Sequence, residues 1–408
     1  MSDFTAEEVE NIRNDRTSIK WTRYAPEVLP LFVAEMDYGV AEPIKEAIIA
    51  RVRSSDLGYL DGPGPLAPAF ADFALDRWGW RIDPARIHIA TDVSVGIVET
   101  LRLELAVLKA RAEGAETRPE ARVVITPPVY PPFFELVEEA QGDIVEVPLR
   151  ETFGRWSLDL EGLERAFADG VGIFLLCNPH NPLGLVHPRS VLEKLAELAA
   201  RYDVLVVSDE IHGPLTHPGV TFEPFAPIAE AAGARSVCVT SASKGWNLAG
   251  VKCSVMVAGD DRTAALLDTL NEEVACRASI LGLHANVAAL SCTDWLDDAV
   301  VKVAANASLL GALLAENLPG VVYHRPRAGY LAWLDFRGLG LGDDPAVSLR
   351  ENAYVALNSG LSFGREGRGF ARLNLACDPA TLREAVLRIA SVFPSSMQGA
   401  LIWRTAAS

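Results

Sequence analysis

Two apolar runs in the middle of the chain decide its fold class: VGIFLLC at residues 171–177 and DVLVVS at residues 203–208. An amphipathic stretch, residues 188–202, lies between them and is predicted to be a helix. Continuous apolar strands that alternate with helices are typical of a sheet that is covered on both faces and whose strands are mostly parallel. The sequence therefore predicts an α/β fold, in which ligands bind beyond the carboxyl ends of the strands.

The same alternation extends on both sides of this centre. Further helices and strands are predicted at residues 94–109, 122–126, 131–141, 236–240 and 254–257. From about residue 261 the pattern changes to a long helical stretch that runs past residue 286, followed by strands and a last helix at residues 330–336, 370–376 and 379–392. We therefore expect a large α/β domain with a mostly parallel sheet, residues 46–285, and a smaller α+β domain made of residues 1–45 and 286–408.

Composition excludes several classes of partner. The 408 residues carry 37 basic and 54 acidic side chains, and the net charge of −17 would repel nucleic acid and anionic membranes. The acidic N-terminus lacks the apolar region of a secretory signal, and no run approaches the ~18 apolar residues of a membrane span. The six cysteines are scattered without a CxxC pair, as expected for reduced thiols. We therefore expect a cytoplasmic protein with no nucleic-acid or membrane partner.

Polar side chains directly follow four of the predicted strands. They are Tyr130 in TPPVYPPF, Asn181 in NPHNPLG, Asp209 in SDEIH and Lys244 in TSASK. Each alone has a structural explanation, such as a proline turn, a helix cap or a solvated lysine. Because the carboxyl ends of parallel strands share one edge, we expect all four to face the same crevice. A fifth residue, Arg372 in GRGFARLN, is either salt-bridged or an anion clamp.

The lysine segment carries the most chemistry. Ser241 and Ser243 flank Lys244 with small hydroxyl groups that suit an anionic ligand, and Lys252 adds a second cation eight positions on. A lysine that is withdrawn from water has a lowered pKa and becomes a usable nucleophile toward aldehydes. The sequence therefore favours a functional amine at position 244.

Together these segments resemble the fold type I pyridoxal 5′-phosphate (PLP) enzymes, the aspartate aminotransferase superfamily. The closer resemblance is to the MalY/PatB cystathionine β-lyase subgroup of the class I/II aminotransferases. The matching segments are RTSIKW (residues 16–21), FVAEMDY (32–38), PPVYPPF (127–133), NPHNPLG (178–184), SDEIH (208–212), SASKGWNLAG (241–250) and GRGFARLN (367–374). The resemblance implies a PLP-dependent transferase-like fold, PLP as the cofactor and no metal.

The resemblance also implies a role for each residue of the crevice. Lys244 would hold the cofactor aldehyde covalently and, once a substrate amine has freed it, would remove the Cα proton. Asp209 would pair with the pyridine nitrogen, Asn181 would donate to the phenolic oxygen of the ring, and Tyr130 would stack on the ring face. Arg372 would clamp the α-carboxylate of an amino-acid substrate. Lys244, Asp209 and Tyr130 are thus the expected catalytic residues.

The cofactor phosphate has its own expected partners. They are Ser241, Ser243, Lys252 and the backbone N–H groups of Val93 and Ser94. The last two residues are predicted to open a helix, whose N-terminal dipole favours an anion. Tyr59 in LGYLDG matches a tyrosine that reaches the phosphate from the neighbouring subunit, so a homodimer with a shared active site is implied.

The resemblance to the lyase subgroup favours one reaction over another. We expect carbon–sulfur β-elimination, in which cystathionine or another cysteine S-conjugate gives pyruvate, ammonia and a thiol. His212 stands where ordinary aminotransferases have a tyrosine, which fits the lyase subgroup. An aminotransferase is the alternative, and a regulatory or protein-binding member of the PLP fold is a second one. The substrate side chain is expected to contact residues near Met36, Asp37 and Tyr38 and the loop around Phe363.

Overall fold

A seven-stranded sheet forms the centre of the protein. A computed structural model describes residues 9–112, 121–152 and 154–393. Both ends of the chain, residues 1–8 and 394–408, were expected to belong to the small domain and lie outside the described residues. The strands lie side by side in the order Ile87–Ala90, Ser254–Ala258, Arg235–Thr240, Leu205–Asp209, Ile173–Cys177, Arg122–Ile125 and Asp143–Glu146. Ser254–Ala258 pairs antiparallel with both of its neighbours, and the other four pairs of this sheet are parallel. The predicted α/β fold with a mostly parallel sheet is confirmed.

The apolar runs are continuous because both faces of this sheet are covered. Along Ile173–Cys177, successive side chains point to opposite faces. Ile173 and Leu175 pack into one core, which is closed by helices Val93–Ala112, Pro132–Glu139 and Asp261–Leu267. Phe174 and Leu176 pack into the other core, which is closed by helices Leu160–Ala168, Arg189–Arg201 and Phe225–Ala232. A polar residue inside such a strand would lose its contact with water on either face.

The register of the strands brings their carboxyl ends together. Cys177 lies opposite Asp209, and Asp209 lies opposite Val239, one residue before the end of the next strand. The backbone N–H of Asn178 donates to the carbonyl oxygen of Asp209 at 2.9 Å. The segments that follow three neighbouring strands therefore start from one edge of the sheet.

A second, antiparallel sheet lies in the C-terminal part of the chain. Its strands are ordered Val322–Tyr323, Leu331–Asp335, Phe370–Asn374 and Asn358–Ser359, and helices Thr293–Asn317, Pro345–Ala353 and Pro379–Ser391 accompany them. The N-terminal strand Leu29–Pro30 pairs in parallel with Val355–Ala356, so the N-terminal segment joins this part of the protein. The boundary expected between residues 285 and 286 falls inside helix Ile280–Ser291. The division into domains at this position stays a prediction.

The remaining elements are short or lie at the periphery. Two short strands, Arg150–Thr152 and Arg155–Ser157, form a hairpin of their own. The other helices are Val9–Asp15, Ile19–Thr22, Glu42–Arg53, Leu66–Trp78, Ala242–Gly245 and Glu272–Cys276. The stretch after residue 261, expected as one long helix, is instead four separate helices. Side chains of Asn271 and Ser279 cap two of them and thereby break the helical run.

One helix among the described residues, Thr293–Asn317, is long and apolar enough to cross a membrane by length and composition. The sequence predicted no segment of this kind. Half of its most apolar window is buried inside the protein, where Leu296, Val303 and Leu310 pack into the largest core. Its apolar surface thus has partners within the chain, as expected for a core helix of this length. All six cysteines are free thiols, and four of them are buried.

Candidate active site

A cavity of about 340 Å³ lies beyond the carboxyl ends of the central strands. This volume lies within the range of about 300–1,000 Å³ that is typical of small-molecule sites. Ten of the eleven residues expected at the site line it: Val93, Ser94, Tyr130, Asn181, Asp209, Ser241, Ser243, Lys244, Lys252 and Arg372. The structure therefore brings together residues that are more than 250 positions apart in sequence.

Lys244 reaches the cavity from the short helix Ala242–Gly245, which begins just after strand Arg235–Thr240. Its Nζ donates a hydrogen bond to the carbonyl oxygen of Ala34 at 3.1 Å. Burial and the charge of Arg372 lower the pKa of this amine, Asp209 opposes them, and the result is a pKa of about 8. An appreciable share of the amine is therefore neutral near neutral pH, as a nucleophile or base requires.

Asp209 is the last residue of strand Leu205–Asp209 and is 4% exposed. Its Oδ1 accepts a hydrogen bond from the backbone N–H of Ile211 at 3.1 Å. Burial raises the pKa of Asp209 to about 7, although this hydrogen bond and the charge of Lys244 both lower it. A buried carboxyl of this kind favours a cationic partner over solvent.

Arg372 comes to the same cavity from the other sheet, on strand Phe370–Asn374. Its Nη1 donates to Asn181 Oδ1 at 3.0 Å, and its Nη2 donates to the carbonyl oxygen of Phe32 at 3.3 Å. The guanidinium lies 5.0 Å from the ring centroid of Phe363. Among the described residues, no carboxylate forms an ion pair with Arg372, and its buried Nε has no hydrogen-bond partner. The anion-clamp interpretation is therefore favoured over a structural salt bridge.

Tyr130 is held in the cavity by the proline-rich loop between strand Arg122–Ile125 and helix Pro132–Glu139. The loop is fixed to the turn Gly360–Phe363, which follows strand Asn358–Ser359 of the second sheet, because the backbone N–H of Val129 donates to the carbonyl oxygen of Phe363 at 2.9 Å. Burial and the charge of Asp209 raise the pKa of Tyr130 to about 12. Its phenol therefore stays protonated at physiological pH.

The expected phosphate end of the cavity is built from two turns. Ser241 Oγ donates to the carbonyl oxygen of Cys253 at 2.7 Å and accepts from the backbone N–H of Ser243. The hydroxyl proton of Ser241 is thus engaged within the protein, which sequence reasoning did not foresee. Val93 opens helix Val93–Ala112, one residue earlier than predicted, and Lys252 Nζ forms an ion pair with Asp92 at 2.8 Å.

An irregular segment, residues 32–38, reaches the cavity with its first residues and is called the strap below. Its first three residues, Phe32, Val33 and Ala34, line the cavity, whereas Met36 and Tyr38 are buried in the core. The wall was expected near residues 36–38, and residues of this segment do line the cavity, although Met36, Asp37 and Tyr38 themselves do not. The side chains of these three residues pack inward, and the wall is formed by the residues that precede them.

Two neighbours of Lys244 were not assigned a role from the sequence. Tyr330 is fully buried, and its hydroxyl donates to the same carbonyl oxygen of Ala34 at 3.1 Å. His212 lines the cavity with its ring 6.3 Å from that of Tyr330. Burial and the charges of Lys244 and Arg372 lower the pKa of His212 to about 3, so its imidazole is neutral. No sequence signal marks Tyr330, because a buried tyrosine beside a glycine is equally typical of a core.

Tyr59 is the one expected site residue that lies outside this cavity. Its side chain is 91% exposed, the largest value among the large apolar side chains that are exposed on the described surface. The role expected for Tyr59, at the site of a neighbouring subunit, stays a prediction. Within the described residues, no cluster of three or more His, Cys, Asp or Glu side chains is placed to hold a metal ion.

Comparisons with known proteins agree with this geometry. Residues 108–389 match the model of the family "Aminotransferase class I and II". The chain is 36% identical to the cystathionine β-lyase of Corynebacterium glutamicum, covering 94% of this chain and 99% of that protein. It is 34% identical to the cystathionine β-lyase PatB of Bacillus subtilis, covering 91% and 95%. The crystal structure of cystalysin from Treponema denticola, which contains PLP, superposes with a TM-score of 0.84 at 26% identity, covering 96% and 98%.

The fold and these matches show that the chain belongs to the class I and II aminotransferase family of PLP-dependent fold type I proteins. Within the family it is a member of the cystathionine β-lyase subgroup that includes PatB. The resemblance that the sequence motifs indicated is confirmed.

The residues present fit PLP. The amine of Lys244, whose pKa is lowered, suits the cofactor aldehyde, and the buried carboxyl of Asp209 suits the ring nitrogen. The guanidinium of Arg372, whose Nε has no hydrogen-bond partner, suits the carboxylate of a substrate. Lys252 and the start of helix Val93–Ala112 line the end of the cavity where a phosphate would be held, although Lys252 is paired there with Asp92. These groups would hold the cofactor within one cavity.

Proposed function

We propose that this protein is a PLP-dependent carbon–sulfur β-lyase that cleaves cystathionine or related cysteine S-conjugates. The observation that carries the proposal is the convergence of Lys244, Asp209 and Arg372 in one buried cavity between the two sheets. The names of relatives at 34–36% identity, both cystathionine β-lyases, support the same reaction. The products are pyruvate, ammonia and a thiol.

When bound, PLP supplies an electron-accepting ring that stabilises negative charge on the substrate Cα. Asp209 would pair with the ring nitrogen and favour its protonated form, and the burial of this carboxyl would keep water from weakening the interaction. Asn181 lies in the loop that follows the neighbouring strand Ile173–Cys177, lines the same cavity and would orient the ring through its amide. Tyr130 would cover the ring face from the proline-rich loop.

Lys244 moves the proton. Its neutral amine takes the proton from the substrate Cα, and the pKa of about 8 keeps the amine both basic and available near neutral pH. The carbonyl oxygen of Ala34, 3.1 Å from Nζ, then accepts a hydrogen bond from the resulting ammonium. The strap thus holds Lys244 whenever its amine is free.

Arg372 orients the substrate. Its guanidinium is fixed by Asn181 and by the carbonyl oxygen of Phe32, and it binds the α-carboxylate through its remaining N–H groups. Fixing the carboxylate determines which bond of Cα faces the electron-accepting ring. Once the Cα proton has left, the carbon–sulfur bond at Cβ breaks and its electron pair departs with sulfur. The released enamine is hydrolysed to pyruvate and ammonia.

The test is product analysis with L-cystathionine and purified enzyme. The proposal expects pyruvate and free thiol in equal amounts, at a rate proportional to enzyme concentration. A plain aminotransferase would instead transfer the amino group to an added keto acid and release no thiol. If amino groups are exchanged and neither pyruvate nor thiol forms, the lyase proposal is wrong and the aminotransferase alternative replaces it.

We further propose that the enzyme is a homodimer in which Tyr59 completes the site of the partner. Three large apolar side chains in this part of the sequence are exposed, namely Val52, Leu57 and Tyr59 by 51%, 57% and 91%. Burying such side chains against a second subunit would stabilise the assembly. The cytoplasm is the proposed location, supported by the free cysteines, and cell fractionation tests it.

Mixed dimers test the shared site. We expect Lys244→Ala and Tyr59→Ala each to lose most activity when purified separately. When the two variants are dissociated and reassembled together, each mixed dimer contains one site with both native residues, so activity should return to about a quarter of the wild-type value. No recovery from a mixture that is shown to contain mixed dimers would contradict the shared site.

A further inference from the structure

Asp92 occupies the expected phosphate end of the cavity. It directly precedes helix Val93–Ala112, and its Oδ1 accepts a hydrogen bond from the backbone N–H of Val95 at 3.0 Å. Its Oδ2 accepts from Lys252 Nζ at 2.8 Å. The carboxylate of Asp92 therefore accepts hydrogen bonds from the helix start and from Lys252. A phosphate bound at this end of the cavity would depend on the same two kinds of donor.

This carboxylate is charged and faces the ligand cavity. Burial by itself would raise the pKa of Asp92, but hydrogen bonds from Lys252 and from the backbone of Val95 outweigh it, so its pKa is lowered. Asp92 and Lys252 both line the cavity, with side chains 34% and 51% exposed. Its charge also acts deeper in the cavity, where it adds to the effects that raise the pKa of Tyr130.

Because of Asp92, the expected phosphate end of the cavity has no net positive charge from its lysine to attract the phosphate dianion. Lys252 is the cation expected to bind the phosphate, and Asp92 neutralises it. A helix start attracts a phosphate through unsatisfied N–H groups and a partial positive charge, and Asp92 reduces both. Since both acceptors would contact one ammonium, carboxylate and phosphate would lie within roughly 6 Å of each other.

We propose that Asp92 weakens the retention of the cofactor by competing with its phosphate for Lys252 and for the start of helix Val93–Ala112. The inference rests on the proposed PLP site and adds a residue that determines its affinity. Asp92 holds the lysine and the helix start in place while the phosphate is absent, and it repels the phosphate when that group binds. The cofactor is therefore exchanged more readily than a site with an unpaired cation would allow.

Asp92→Asn is the decisive variant. The asparagine Oδ1 can still accept from Val95, so the helix cap is kept while the negative charge is lost. Even with the screening of bulk water, removing a unit charge within about 6 Å of a dianion changes a binding constant by roughly tenfold. We expect the dissociation constant for PLP, measured by visible absorption after removal of the cofactor from holoenzyme, to fall by about tenfold or more. The release of cofactor from holoenzyme during dialysis should slow accordingly.

Pyridoxal, which lacks the phosphate, separates this effect from a general change in the site. Its affinity should be the same for Asp92→Asn and for the wild type, and the gain for PLP should shrink as salt is added. Asp159→Asn is the matched control. Asp159 also caps a helix through Gly162 and pairs with Arg150 at 2.8 Å, but it does not line the cavity, so its variant should leave PLP affinity unchanged.

Each outcome has a defined meaning. An unchanged or weaker affinity of Asp92→Asn for PLP would overturn the inference, and so would an equal gain for pyridoxal and PLP. If the wild type showed no visible absorption with PLP and Lys244→Ala behaved in the same way, the proposed cofactor site itself would fail. The two failures are therefore distinguishable.

Discussion

The buried ion pair that anchors the strap offers a quantitative test of the structure. Lys20 Nζ contacts Asp37 Oδ1, and the two side chains are 0% and 2% exposed. The same amine donates to the carbonyl oxygen of Glu35 at 2.9 Å. Burial raises the pKa of Asp37 although Lys20 lowers it through its charge and hydrogen bond. The Lys20→Met variant would therefore leave a buried carboxylate without its closest cation.

Removing one partner of a buried ion pair costs about 3–5 kcal/mol, because the remaining charge stays out of water without compensation. Arg16 also lowers the pKa of Asp37 and still contacts the strap at the carbonyl oxygen of Met36, so we expect the lower end of this range. Lys45→Met is the matched control. Its ion pair with Glu42 is exposed by 49% and 69%, and breaking such a pair costs at most about 1 kcal/mol.

The loss of unfolding free energy in Lys20→Met should be larger at high pH than at low pH. In Lys20→Met the folded pKa of Asp37 rises further above its unfolded value. The penalty is therefore full above the folded pKa and declines as the pH falls below it, by about 1.4 kcal/mol per pH unit. Urea unfolding of the holoenzyme at about pH 8 and about pH 5.5, with both variants and the wild type, measures this difference. Equal effects of Lys20→Met and Lys45→Met, or a deficit that grows toward acid, would refute the reasoning.

Three further substitutions test the cavity. Lys244→Ala should abolish turnover and the visible absorption of covalently held cofactor, while the far-ultraviolet circular dichroism stays unchanged. If the visible absorption band persists, Lys244 does not hold the cofactor. Asp209→Asn should keep the cofactor but lose activity by about a hundredfold or more, since the preorganised charge is lost, and unchanged turnover would show that the ring nitrogen is not controlled there. Arg372→Lys should raise KM for L-cystathionine about 10- to 100-fold with a smaller change in kcat, because a lysine cannot reproduce the guanidinium fork. A fall in kcat alone would place Arg372 away from the substrate carboxylate.

The sequence predicted the central sheet well, because its strands are buried on both faces and therefore consist of unbroken apolar runs. The strand expected at residues 203–208 is Leu205–Asp209, and the helix expected at residues 188–202 is Arg189–Arg201. The C-terminal part was harder to predict from the sequence. Four helices follow residue 261 in place of one, because Asn271 and Ser279 cap new helices inside an amphipathic pattern. Capping residues also occur within helices, so their presence alone does not predict a break.

The candidate site shows a similar division. Side chains that carry chemistry, such as Lys244 and Arg372, are visible in the sequence as motifs. The carbonyl oxygen of Ala34, which Lys244 contacts, is not, since every residue has such a group. The competition between Asp92 and a phosphate was also missed, because the ion pair with Lys252 joins residues 160 positions apart and only the folded chain brings them together.

The strap connects the two halves of the active site. Asn374, at the end of the strand that carries Arg372, donates to the strap carbonyl oxygens of Val33 and Glu35 at 2.8 and 2.6 Å. Asn247, three residues after Lys244, exchanges hydrogen bonds with the backbone of Met36 at 2.9 and 3.0 Å.

The base on the first sheet and the carboxylate clamp on the second are thus positioned against one backbone segment. A small displacement of reacting groups costs a large factor in rate. Loosening the strap by Lys20→Met should therefore lower kcat under conditions in which the protein remains folded, whereas Lys45→Met should not. An effect on stability without an effect on kcat would mean that the two sheets hold their relative position without the strap.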